Sequence, residues 1–94
     1  MADLSNPREA LEWAHAWGRE ATDRPGGFSS AVMARTFRQV SEFRAMISGL
    51  DDQRYAHTKA VGLANADAMD RVLAAYVAAA IVRGLRRVAA RSGA

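Results

Sequence analysis

Eleven consecutive apolar residues, VLAAYVAAAIV, run from residue 72 to residue 82 in a segment whose pattern predicts a helix. A helix that is apolar around its whole circumference cannot lie on the surface of a monomer, so it packs inside a bundle or against another chain. We therefore expect this helix to be the central element of a bundle or to provide a surface for a second molecule.

The 94 residues are enough for one domain with one core, so residues 1–94 are expected to form a single helical domain. The formal charge of +3 is unevenly distributed. Residues 1–82 carry nine Lys and Arg against ten Asp and Glu, whereas residues 83–94 carry four Arg and no acid. The positive charge therefore belongs to the end of the predicted apolar helix.

The sequence contains no cysteine, which removes disulfide and thiolate chemistry from consideration. Its first fifteen residues lack the basic and apolar regions of a signal peptide, and eleven apolar residues are fewer than the roughly 20 that span a bilayer. We expect a soluble cytoplasmic protein that does not enter a membrane.

Local signals define the first two helices. Asn6, Pro7 and Glu9 provide an N-cap, a first-turn proline and the acidic partner of a capping box, and they predict a helix over residues 7–22. The run of residues 23–27, DRPGG, ends it. Ser29 or Ser30 can cap a second helix, whose apolar residues recur every three or four positions as far as Leu50.

The second half of the chain is expected to form two further helices. Asp51 or Asp52 can cap a short third helix, which Gly62 weakens, and Asn65 can cap a fourth helix with Asp67 in its first turn.

On the fourth helix one face is bulky and a second face is flat. The bulky face contains Leu73, Tyr76, Val77, Ala80, Ile81, Gly84 and Val88, and the flat face contains Ala75, Ala78, Ala79 and Val82.

These patterns predict an all-α fold, a compact bundle of three to four helices with the C-terminal helix central. The tryptophans Trp13 and Trp17 lie one turn apart and are expected to pack into the core. The flat alanine face allows another backbone to approach closely, either inside the bundle or across a two-fold axis, so Ala75, Ala78, Ala79 and Val82 are candidate self-association residues of a homodimer.

No constellation of residues specifies a reaction. A zinc site needs three or four convergent ligands, and neither His15 nor His57 has another histidine four residues away, the spacing that places two ligands on one helix face. No serine lies in a nucleophile elbow, and the glycines at 26 and 27 lack the spacing and the lysine of a phosphate loop. We therefore predict a non-enzymatic protein with no catalytic residues, no metal and no cofactor.

Residues 58–72 are loosely similar to a helix-turn-helix, with Gly62 in the turn and Asn65 capping the second helix. Asp67 and Asp70 would then face phosphates or base edges, where carboxylates are repelled. A DNA-binding regulator is accordingly the alternative function, and weak non-specific binding of nucleic acid through the arginines stays open.

The candidate partner-binding residues are Arg83, Arg86, Arg87 and Arg91. A single cation satisfies a helix C-terminus, and four arginines exceed what the helix dipole needs. The sequence therefore predicts a small protein-binding module, an adaptor, modulator or inhibitor that docks on the acidic surface of a larger protein or nucleoprotein assembly.

Overall fold

The computed structural model describes residues 3–24 and 27–93, which form three helices. They are α1 (Pro7–Thr22), α2 (Ser30–Ser48) and α3 (Asp52–Gly93). The molecule measures 62 × 21 × 20 Å, and α3 contacts both shorter helices. The all-α prediction with a central C-terminal helix is confirmed, although the bundle is more extended than expected.

Helix α1 begins and ends at the predicted residues. The Asn6 side chain accepts hydrogen bonds from the amides of Arg8 and Glu9, at 3.0 and 3.3 Å. The Asp23 amide closes the other end by donating to the Arg19 carbonyl at 2.8 Å. The predicted breakers Pro25 and Gly26 lie outside the described residues.

The starts of α2 and α3 are also capped by side chains that the sequence identified. Ser29 Oγ accepts from the amide of Val32, and Asp51 Oδ1 accepts from the amide of Gln53 at 3.0 Å. The α2 helix ends at Gly49, whose amide donates to carbonyls of the last turn. The first turn of α3 contains a kink at Tyr55, where φ is −125° and ψ is 27°.

The expected break between a third and a fourth helix does not occur, because α3 is helical from Asp52 to Gly93. Asn65 does not cap a helix. Its side chain is buried, and Nδ2 donates to the carbonyls of Leu4 and Ser5 at 3.0 Å each, which fastens the N-terminal segment to α3. Gly62 is a packing contact, since a Cβ there would lie 2.9 Å from Cγ2 of Ile47.

The contacts also set the helix directions. Leu4 and Ser5 lie against residue 65, while Gly18 lies against Tyr76, so α1 runs parallel to α3. Ile47 lies against Gly62, so α2 enters near the other end of the bundle and runs antiparallel to α3. The connection between α1 and α2 therefore lies near residue 80 of α3.

All three helices contribute to the core. The buried hydrophobic residues are Ala10, Ala14 and Ala21 from α1, Val32, Met33, Val40 and Ile47 from α2, and Ala66, Met69 and Leu73 from α3. Trp13 and Trp17 are half-buried and pack against this cluster, as predicted, with ring centroids 6.5 Å apart. Small residues on α1 allow it to approach α3 closely.

Only part of the apolar run at residues 72–82 is buried. Leu73 is buried and Tyr76 and Val77 are half-buried, but Ile81 and Val82 are exposed. Ile81 and Val88, which the sequence places on the bulky face, are exposed because α1 and α2 do not extend far enough along α3 to cover them.

The close crossing of α1 and α3 at Gly18 generates a prediction. A Cβ at Gly18 would lie 2.6 Å from Cε2 of the Tyr76 ring, whereas a Cβ at Gly84 would meet no atom within 4 Å. We expect Gly18→Ala to destabilise the fold by about 1–3 kcal/mol despite its better helix propensity. Thermal unfolding followed by circular dichroism measures the difference.

Gly84→Ala is the matched control and should not lower the melting temperature, because its Cβ points into open space. Equal melting temperatures for wild type and Gly18→Ala would contradict the close crossing.

Candidate arginine interface

The last thirteen described residues of α3, residues 81–93, extend past the bundle and are called the C-terminal arm here. At about 1.5 Å per residue the arm is roughly 20 Å long. Its large apolar side chains are mostly in solvent: Ile81 is 57% exposed, Leu85 64% and Val88 59%. The arm thus has two chemically distinct sides, one apolar and one carrying arginines.

Three of the four predicted partner-binding arginines come together. Arg83, Arg86 and Arg87 line a concave site of about 340 Å³ at the junction of the arm and the bundle. Its other described lining residues are Thr22, Gly27, Phe28 and Ala80, and none of these carries a carboxylate. We call this site the arginine cavity. Arg91 lies one turn beyond it and is exposed.

Phe28 is the residue of this site that the sequence prediction missed. It belongs to the connection between α1 and α2, and it is 42% exposed while lining the arginine cavity. A large apolar residue directly beside a helix cap, outside any helical repeat, was the available signal. Its position adds an aromatic wall to a cluster of cations, and guanidinium groups bind well to both carboxylates and aromatic faces.

The predicted self-association residues are all on the surface. Ala75, Ala78, Ala79 and Val82 are exposed, so α1 and α2 do not cover them. Ala75 and Ala79 line an open, largely apolar groove of about 490 Å³. Their role in self-association stays a prediction.

His15 lines the same groove and has a defined partner. Its Nδ1 lies 3.0 Å from the Tyr76 hydroxyl, and the two rings meet edge to face with centroids 5.7 Å apart. His57, by contrast, is exposed in the first turns of α3. The His15 contact connects α1 to α3 next to Gly18, which indicates a structural role for this histidine.

Asp67 and Asp70 have a different role from the one expected at a helix N-terminus. They lie in the middle of α3, where Arg44 of α2 donates to both carboxylates: Nη1 to Asp67 at 2.6 Å and Nη2 to Asp70 at 2.5 Å. These carboxylates raise the pKa of the Arg44 guanidinium above its usual range, chiefly through the hydrogen bond to Asp67. A fork that spans two helices in this way fixes α2 against α3.

The residues expected for a helix-turn-helix do not form one. Residues 58–72 are continuously helical and contain no turn. Among residues 3–24 and 27–93, no group of three or more His, Asp or Glu side chains is arranged to hold a metal ion. Nor is any helix in these ranges long and apolar enough to cross a membrane.

No protein-family model matches the chain, and neither a curated protein nor a solved structure matches it.

The Arg44 fork generates a prediction about stability. All three partners are partly exposed, so we expect only about 0.2–1 kcal/mol of coupling between Arg44 and Asp70 in a double-mutant cycle with Arg44→Gln and Asp70→Asn. Urea unfolding of the four proteins gives the coupling free energy, and molar salt should reduce it. Additive effects of the two substitutions would show that the pair contributes nothing.

Proposed function

We propose that this protein is a small non-enzymatic binding module that docks on an acidic surface of a larger protein or nucleoprotein assembly. The observation that carries the proposal is the arginine cavity, where Arg83, Arg86 and Arg87 line one concave site together with Phe28.

The charge of this site supports an acidic ligand. On α3 the nearest acidic residue before the three arginines is Asp70, more than three helical turns away, and it is paired with Arg44. The carboxylate of Asp23 lines the adjacent groove with Arg83, so one acid lies near three arginines. Arginine forms short bidentate hydrogen bonds with carboxylates, and an exposed aromatic beside them favours a ligand that also has apolar atoms. Glutamate or aspartate next to an aromatic or aliphatic residue has these properties.

The shape of the site favours a protein ligand over duplex DNA. A duplex presents its phosphates along a regular backbone, and proteins bind it with cations distributed along a surface and with an element inserted in a groove. Here three arginines face one cavity of about 340 Å³, a volume suited to one or two side chains. The unbroken α3 also lacks the short recognition helix of a helix-turn-helix.

The test compares binding of a fluorescent acidic peptide, rich in Asp and Glu and containing Phe, with binding of a duplex oligonucleotide. Replacement of Arg83, Arg86 and Arg87 together by Gln should weaken peptide binding by about tenfold or more, because each lost arginine–carboxylate contact contributes about 0.5 kcal/mol. Anisotropy titrations at physiological salt measure both ligands.

The matched control replaces Arg19, Arg35 and Arg38, three exposed arginines of α1 and α2, by Gln. It removes the same charge and should keep the peptide affinity of the wild type. Equal losses in both triple variants would mean that net charge alone governs binding. Nanomolar binding of one DNA sequence would support the regulator instead.

A further inference from the structure

The outward side of α3 carries a row of exposed residues that repeats every three or four positions. Its members are Ala74, Ala78, Ile81, Leu85 and Val88, and all five are exposed in the monomer. Successive steps of four, three, four and three residues are the spacing of the a and d positions in a coiled coil. This row is called the seam here, and it shares only Ala78 with the flat alanine face.

The seam lies well away from the surface that α1 and α2 cover. At about 100° per residue, its members centre roughly 105° around α3 from the buried residues Ala66, Met69 and Leu73. A second helix can therefore lie along residues 74–88 without displacing α1 or α2, and its end reaches the side of α3 where Arg44 of α2 bonds Asp67 and Asp70. Burial of Ile81, Leu85 and Val88 would remove apolar surface that is now in water.

We propose that the seam binds a second copy of this chain, with the two α3 helices antiparallel. The arm of each molecule then lies along the body of the partner's α3, and a two-fold axis passes near residue 80. The two α3 helices would then lie at the centre of the dimer. Helices α1 and α2 of each molecule would pack on the outside of their own α3.

Side-chain size favours the antiparallel arrangement. It places Ala74 opposite the partner's Leu85 and Ala78 opposite the partner's Ile81, so that these layers each combine a small with a large residue. The same register places Val88 against the aliphatic part of the partner's Arg71. A parallel arrangement would pair Ala with Ala at one end and Leu with Leu at the other, which leaves the alanine layers underfilled. Interdigitation of small and large residues lets the backbones approach closely along the whole seam.

Charge favours the same arrangement. In a parallel pair the arms would bring eight arginines to one end of the dimer, whereas antiparallel arms hold the two clusters at opposite ends. Arg83, Arg86 and Arg87 lie outside the seam positions, so their charges do not enter the interface. Arg91 flanks the seam on the same side as Asp70, and the antiparallel register brings it near the partner's Asp70, which also accepts a hydrogen bond from Arg44 of its own chain.

The first test is the mass of the protein in solution. Light scattering coupled to size exclusion should give twice the chain mass of 10.2 kDa at submillimolar concentration, with monomer appearing on dilution. Leu85→Glu should give the chain mass at every concentration and retain the helical circular dichroism of the wild type, because Leu85 is outside the core. A wild type that stays monomeric at submillimolar concentration would overturn the proposal.

Two matched variants locate the interface. Ala90→Glu adds the same charge to the opposite side of the arm, and Ala79→Glu adds it to the flat alanine face away from the seam; both should remain dimeric. If Ala79→Glu were monomeric while Leu85→Glu stayed dimeric, self-association would belong to the flat alanine face. That result would contradict the proposed dimer through the seam.

The orientation is tested with single cysteines, since the natural sequence has none. Oxidation of mixed Ala74→Cys and Leu85→Cys proteins should give the heterodisulfide as the main product. Predominant Ala74→Cys homodimers would indicate parallel helices and contradict the proposed register. These results do not involve the arginine cavity, so failure of the dimer and failure of acidic-peptide binding are separate outcomes.

Discussion

The difference in length between α3 and the two helices that pack on it governs this structure. Helices α1 and α2 have 16 and 19 residues, and α3 has 42, so at about 1.5 Å per residue α3 exceeds its neighbours by roughly 35 Å. Contacts of Leu4, Ser5 and Ile47 near residues 62–65, and of Gly18 at Tyr76, place the shorter helices against residues 62–80 of α3. Beyond residue 80, no described residue of α1 or α2 covers the outward apolar side chains.

The arm has two chemically different surfaces on opposite sides. Its arginines face the end of the bundle, where the connection between α1 and α2 supplies Phe28 and Thr22, and its apolar side chains face away. Full burial of one large aliphatic side chain contributes about 1.5–3 kcal/mol, and burial of the exposed parts of Ile81, Leu85 and Val88 in both copies would offset the cost of bringing two chains together. The proposed acidic partner and the proposed second copy would contact different sides of the arm.

Local sequence signals predicted the helix starts well and the long-range contacts poorly. Asn6, Ser29 and Asp51 cap the helices that they were expected to cap, because capping depends on residues within three positions. Asn65 has the same chemical character but donates its side-chain amide to Leu4 and Ser5, sixty positions away. No local sequence pattern distinguishes an asparagine that caps a helix from one that makes a distant contact. The sequence therefore predicts a helix start at Asn65 that the structure does not contain.

The candidate site likewise combines features that local sequence predicts with features that depend on contacts between distant residues. Clustering of Arg83, Arg86 and Arg87 follows from their spacing on one helix, but the cavity also depends on Phe28, which arrives through the fold. The pairing of Asp67 and Asp70 with Arg44 is likewise a contact between helices, and it changes two carboxylates from free surface charges into a link between α2 and α3. The exposure of Ile81, Leu85 and Val88 depends on where α1 and α2 end.

Amide hydrogen exchange, followed by NMR at low and at high protein concentration, is the most direct test of this account. It asks whether α3 is one helix that the bundle supports at residues 62–80 and a second molecule supports along the arm. We expect slow exchange through residues 62–66 at both concentrations, and slow exchange of residues 82–91 only at the concentration where the dimer forms. Fast exchange at residues 62–66 would indicate a break in α3. Arm amides that exchange at the same rate at both concentrations would show that no second copy covers them.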